Sequence, residues 1–377
     1  MSSLIYHRAE VENAKLNGYT EFDNLDFYLN QEGRALQQNS IRIEGDVRVL
    51  KDVGGTTTRL AHDDKVYIDM SVGANCFFDT MSVEFQNSGM IEHQSEVPRY
   101  YKMTEIGAKD VNDYHNGNDL IQLKCPTAEG SATNICGTIS SCNSADTGTN
   151  GLGGDNIDNS FSIKPKFCLN KMSDDMSFSK SGFIKVSVSV AKVSSVLFGV
   201  DEDANNSIEL RNVRVCYNSV PDVSNNLQMR TIIGLKSSIN STFSNNQFKV
   251  NGVCDGVSAC FLRQSKENTL TENNNDMEVL SGINEISWLF NDSTAQYISY
   301  VIRDKGEMLK GFVDSLKNSG HNQVNSNANN SNFGLGLTFP PTDLTQQKFN
   351  LQINTNHADI STSPYILYMF FHSVVSL

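Results

Sequence analysis

Residues 363–377 read SPYILYMFFHSVVSL. Pro364 opens the run, and Ile366, Leu367, Met369, Phe370, Phe371, Val374 and Val375 are large and apolar. Such a stretch does not stay in water. It has to be a strand of a sheet, buried on at least one face. His372 and Ser373 interrupt it, and it is too short to span a bilayer as a helix.

Moving outward from that run, the same β-branched, turn-punctuated pattern fills the chain. In IRIEGDVRVL (41–50), Ile41, Ile43, Val47 and Val49 alternate with Arg42, Glu44, Asp46 and Arg48. This is a half-buried strand, with Gly45 as a candidate bulge. Ile184, Val186, Val188 and Val190 alternate in the same way with Lys185, Ser187 and Ser189. Further strands are expected at 65–72, 74–86, 98–103, 119–125, 161–169, 207–217, 227–235, 247–253, 258–264, 284–292, 296–303, 334–339 and 348–354. One helix stands apart, at 304–317. Met308, Leu309, Phe312, Val313 and Leu316 share a face there, Asp304 and Glu307 lie near its start, and Lys310 and Lys317 lie toward its end.

These spacings predict an all-β protein, a jelly-roll sandwich with an additional β domain or insertion. Residues 1–35 read as an N-terminal arm. Residues 36–222 read as the jelly-roll candidate, with a long polar surface loop at 127–160. The turn VPDVSNN (220–226) opens a second β domain or insertion at 223–377, which carries the buried final strand and a low-complexity loop at 321–332.

The chain has 377 residues, a hydrophobic fraction of 38% and a mean hydropathy of -0.35. About forty asparagines suit many turns. The net charge of -13, with no clustered basic run, argues against direct nucleic-acid binding. The N-terminus, with charges from His7 onward, does not read as a signal peptide. Synthesis in a reducing compartment is therefore expected, and the triplets at Asn205, Asn240, Asn291 and Asn329 read as chance glycosylation sequons.

The usual reaction chemistries are missing from the pattern. Cys76, Cys125, Cys136, Cys142, Cys168, Cys216, Cys254 and Cys260 form no CxxC and are expected as buried free thiols, with no metal bound. Asp201, Asp203 and Asn205 begin like a calcium loop, but Asn206 and Asn212 stand where it needs Gly and Glu. The glycine clusters at 151–156 and 334–337 lack the Lys-Ser/Thr of a phosphate loop. The histidines at 7, 62, 93, 115, 321, 357 and 372 build no HExxH, and His372 reads as a core or interface histidine with a satisfied partner. Trp288 and Phe290 read as core aromatics. No catalytic residue and no cofactor is expected.

Five phrases carry a family likeness: LDFYLNQEGRALQQNSIRIEGDVRV (25–49), GANCFFDTMSVEFQNSGMIEHQSEVPRYYKM (73–103), FSIKPKFCLNKM (161–172), SFSKSGFIKVSVSVAK (177–192) and the final fifteen residues. Together they resemble the minor capsid (penton) proteins of virophages and related polinton-type DNA viruses. The resemblance implies a single jelly roll at the icosahedral fivefold vertex. It implies a homopentamer in the virion, contacting the double-jelly-roll major capsid protein, with no catalytic residues. A trimeric attachment protein or fibre head is the alternative, with the polar loops as its binding surface. A β-sandwich glycosidase would need two carboxylates on one cleft, and the sequence places no such pair.

Overall fold

The final run becomes a twelve-residue strand, Tyr365–Ser376, paired along both edges. The structure is a computed structural model, and it describes residues 4–59, 66–69, 72–105, 136–138, 159–199, 206–224, 226–280, 282–291, 298–318, 333–345, 347–357 and 359–376. The chain divides into two units. One comprises Met1–Tyr101, Lys109–Leu227 and Asn268–Asn275; the other comprises Lys102–Ala108, Gln228–Glu267 and Asp276–Leu377.

The strands of the first unit are β1 (Ile5–Glu10), β2 (Asn24–Leu29), β3 (Arg34–Leu36), β4 (Arg42–Val53), β5 (Thr56–Arg59), β6 (Val66–Asp69), β7 (Phe78–Phe85), β8 (Gly89–Gln94), β9 (Cys136–Thr138), β10 (Asn159–Ile163), β11 (Met176–Ser177), β12 (Ile184–Val190), β13 (Phe198–Gly199) and β14 (Asn206–Pro221). Two antiparallel sheets dominate, with neighbours in the orders β1-β14-β4-β10 and β2-β12-β7-β8. Counting those eight along the chain, the orders are 1-8-3-6 and 2-7-4-5. That is a jelly roll. Strands β3 and β11 extend the first sheet beside β14, β5 closes a hairpin on β4, and β13, β6 and β9 form a small third sheet.

The strands of the second unit are β15 (Gln228–Ile239), β16 (Phe243–Phe248), β17 (Val253–Arg263), β18 (Ile283–Asn291), β19 (Ile298–Ile302), β20 (Leu335–Asp343), β21 (Lys348–Thr355) and β22 (Tyr365–Ser376). They pair as β15-β22-β17-β20 and β16-β21-β18-β19, again 1-8-3-6 and 2-7-4-5. The added β domain is itself a second jelly roll.

Local chemistry explains the strands. In β4 the apolar set packs inward: Ile43, Val47 and Val49 are fully buried, with Arg42, Glu44, Asp46 and Arg48 facing outward and only partly covered. The bulge expected at Gly45 lies on the partner strand. Arg211 pairs with Asp46 and Arg214 with Glu44, so two β14 residues, Asn212 and Val213, oppose Gly45. Asn212 takes the positive φ that this requires, 50°. Gly45 stays small for another reason: a Cβ there would sit 2.8 Å from the Phe161 ring.

Strand β22 does not alternate because it is buried on both faces. Phe371 points between the sheets, packed edge-on to Phe349 with centroids 5.0 Å apart and beside Phe248 at 6.3 Å. On the other face Tyr368, Phe370 and His372 are also buried. Helix α2 (Lys305–Asn318, numbered after the helix α1 at Val97–Glu105) lies over β17 and β20 on that outer face. It comes close because Gly311 and Gly336 face each other; a Cβ on either would strike the other's carbonyl oxygen. Each large side chain buried along β22 contributes about 1.5–3 kcal/mol.

Several expectations are corrected. PRYYKM, read as a strand, lies in α1: Pro98 stands in the first turn, where its missing N–H costs nothing, and Val97, Tyr100, Tyr101 and Met103 are buried. The 1–35 arm contains β1 and β2, two strands of the jelly roll. Backbone pairing decides there, since β1 has little apolar alternation. Within the 127–160 loop, Cys136–Thr138 pairs with β6 and Asn159–Ser160 begins β10; the remaining residues, and the strand expected at 119–125, lie outside the described residues. Pro165 follows the end of β10, and Cys168–Asn170 is a 3₁₀ turn. QFKVNGV is a strand only to Phe248.

The segment Asn268–Asn275 belongs to the first unit, although its neighbours in sequence belong to the second. Its side chains and carbonyls do the holding. Asn274 donates to the Ser194 carbonyl, Asn275 to the Ser195 carbonyl at 3.0 Å and Asn273 to the Asp69 carboxylate at 2.6 Å, while Arg99 donates to the Asn274 carbonyl at 2.7 Å.

Candidate functional site

Among the described residues, the constellation that resembles reaction chemistry is in the second unit. Ser258 of β17, Ser315 of α2 and His372 of β22 are all buried, and Ser258 Oγ lies 2.8 Å from Ser315 Oγ and 3.2 Å from His372 Nε2. Hydrogen-bond accounting fixes the protons. The Ser315 hydroxyl donates to the Phe312 carbonyl at 2.7 Å, which can only accept. Ser258 must therefore donate to Ser315, and the His372 ring must donate from Nε2 to Ser258. A histidine that donates to a serine cannot take its proton, so Ser258 is not an activated nucleophile. The cluster pins the helix to the sheet under the second face of β22.

The other sequence candidates are scattered. Asp201, Asp203 and Asn205 lie outside the described residues, as do His62, His115, His321 and the 151–156 glycines. Asn206 starts β14, and Asn212 occupies the bulge, donating to Asp46 at 2.7 Å. His357 packs edge-on to Tyr365, with centroids 5.8 Å apart. Trp288 is fully buried, and Phe290 packs on Phe339 and Phe349. The 334–337 glycines lie in and beside β20, under α2. Among the described residues no three of His, Cys, Asp and Glu converge as a metal would require. No helix among them is long and apolar enough to cross a membrane.

Cys76, Cys168, Cys216, Cys254 and Cys260 are free and buried. Burial pushes the Cys254 thiol up to about 12, against a smaller opposing hydrogen bond to Ser373. Burial, with Glu92 beside it, holds Cys168 well above the ordinary thiol range. Neither is a reactive thiolate.

The sheet surface of the first unit is polar and cross-linked. Arg214 reaches Glu44 at 3.1 Å, Arg211 reaches Glu209 at 2.7 Å and Arg42 donates to Ser162 at 2.9 Å. Burial is the largest influence on the Glu44 carboxyl and raises it, but hydrogen bonds from Arg214 and Cys216 and the charges of Arg214 and Arg42 together outweigh it, and the net shift is downward. At the edge strand β1, His7 Nε2 and Arg34 Nε both lie 2.7 Å from the hydroxyl of buried Ser219. Sequence gave no sign of this junction or of the Ser258 cluster, because their members are far apart along the chain. Leu4, Ile5, Tyr6, Leu16 and Phe22 leave apolar surface exposed on the same unit.

No known family profile matches the chain, and no curated protein matches it by sequence. Its fold does match solved structures. The Faustovirus major capsid protein aligns with a TM-score of 0.61 at 9% identity, covering 100% of this chain and 90% of that one. PBCV-1 VP54, as fitted into a reconstruction of the virophage Sputnik, gives 0.59 at 8% identity over 100% and 95%. A structure of the Sputnik virophage gives 0.51 at 11% identity over 100% and 86%. At such identities the likeness is one of fold, and the alignments span the whole of this chain.

Proposed function

We propose that this chain is a structural protein of an icosahedral virus capsid, a shell tile with two jelly rolls per subunit and no catalytic role. The observation that carries the reading is the repeat of one strand order, 1-8-3-6 with 2-7-4-5, in both units. The length agreement with the Faustovirus major capsid protein and with PBCV-1 VP54 supports it. A tile needs contact surface rather than a reaction site, and the serine–histidine cluster is closed to solvent. Its partners in this reading are further copies of itself and the other capsid proteins of the virion.

The repeat also bears on symmetry. Three copies would bring six jelly rolls around one axis, which suits the sixfold neighbourhoods of a flat capsid face. Five copies, the vertex ring implied by the penton resemblance, would bring ten. We therefore take the trimer as the working assembly. Each contact must bury on the order of 1,000 Å² or more to be specific. With a net charge of -13 per chain, association should strengthen as salt screens the subunits.

Native mass across a salt series, with symmetry from particle images, tests this. Three times the 41.7 kDa chain mass with threefold symmetry is expected. Five copies in a ring would restore the penton placement. A protein that stays monomeric at every salt concentration and is absent from purified particles would remove the capsid reading.

A further inference from the structure

Strand β1 is held at few points. It pairs with β14 alone among the described strands, and only Ala9 of its six residues is buried. Such an element opens well before the fold does. Its side-chain anchors on β14 include the Tyr6 hydroxyl, hydrogen-bonded to Cys216 on the outer face, and, on the inner face, His7. Its ring stacks on Tyr217 of β14, centroids 5.0 Å apart, and its Nε2 meets the Ser219 hydroxyl. Ser219 lies where three strands meet, paired with Ile5 of β1 on one side and Leu36 of β3 on the other. Arg34 of β3 grips it twice, Nε to the hydroxyl at 2.7 Å and Nη2 to the carbonyl at 2.9 Å.

Arg34 can only donate, so the Ser219 oxygen accepts from it. The hydroxyl proton is then free to go to the unprotonated Nε2 of a neutral His7. A protonated ring would instead aim a second cationic N–H at the oxygen that Arg34 already occupies. The groups facing His7 are Tyr217 and Ser219 from β14 and Arg34 from β3, with Gln31 beyond, donating to the Tyr217 hydroxyl at 3.3 Å. Tyr6 and Arg8 alternate to the opposite face of β1. Burial, and then the charge of Arg34, lower the affinity of His7 for a proton.

We infer that His7 is an acid-sensitive latch: neutral, it fastens β1 to the sheet through Ser219, and protonated, it is driven from Arg34 and releases β1 while the other strands of both jelly rolls stay folded. The sign follows from linkage. The proton binds more weakly in the docked state, so the latch is fully closed above the ordinary histidine value near 6.5 and opens as pH falls below it.

Hydrogen exchange of the full chain at pH 7.5 and pH 5, corrected for intrinsic rates, tests this. Protection of the β1 amides should fall by about three- to tenfold at the lower pH, with β4 and β17 unchanged. His7→Gln, which keeps a neutral hydrogen-bonding group, should abolish the change. Arg34→Gln should shrink it. Equal β1 protection at both pH values in the wild type, or an undiminished acid effect in either variant, would overturn the latch.

Discussion

Nε2 of His372 donates its proton to Oγ of Ser258 across 3.2 Å, the reverse of the direction that a nucleophilic serine needs. Ser258 should therefore stay unlabelled by a serine-reactive fluorophosphonate in the native protein. Ser258→Ala should remove the Ser258 hydroxyl that pairs with the ring N–H in the core and cost about 1–3 kcal/mol in denaturant unfolding. A labelled Ser258 would show that the proton runs the other way.

Phe371 meets both Phe349 and Phe248 between the two sheets of the second unit. Phe371→Ala is expected to cost about 3–5 kcal/mol. Truncation after Asp359 removes β22 and strips the pairing edges of β15 and β17, so insoluble protein is expected. A soluble truncation with a cooperative unfolding transition would contradict the central place of β22.

The Glu44–Arg214 pair makes a prediction about acid. Because the net effect on Glu44 is a lowered pKa, its contribution is present above the ordinary carboxylate value of about 4.3 and is lost as pH falls through the lower, folded-state value. Glu44→Gln should flatten the stability profile in that window and leave the slope above pH 5 unchanged. Urea midpoints measured from pH 3 to 6 would show it.

Thiol reactivity should separate the native from the unfolded chain. Cys76, Cys168, Cys216, Cys254 and Cys260 are buried, and Cys254 stays protonated far above neutral pH. Alkylation at pH 8 should spare these five until denaturant is added, as peptide mapping would record. Rapid native labelling of Cys254 would mean that β17 opens readily.

The parts of this fold visible in sequence are those in which one segment decides its own fate. The alternation of β4, the five-residue apolar face of α2 and the dense run of β22 each state a burial pattern locally. Helix α1 was hidden because Tyr100 and Tyr101 favour strands as readily as helices, and the buried face that decides is tertiary. Strand β1 was hidden because half of its side chains are polar. The repeat of two jelly rolls was out of reach, since it lies in pairings such as β15 with β22, more than a hundred residues apart. The same holds for the Ser258 cluster, whose histidine is 114 positions from its serine.

The segment Asn268–Asn275 means that the two jelly rolls are not interchangeable cassettes. A gene cut between Leu227 and Gln228 would leave the first product without the asparagines that cap the Ser194 and Ser195 carbonyls and without the Asn274 carbonyl that accepts from Arg99. The second product would carry those eight residues without the Asp69, Arg99, Ser194 and Ser195 groups that hold them. Any recombination that shuffles one roll between related chains must carry this octapeptide with the opposite partner, a constraint that ties the evolution of the two halves together.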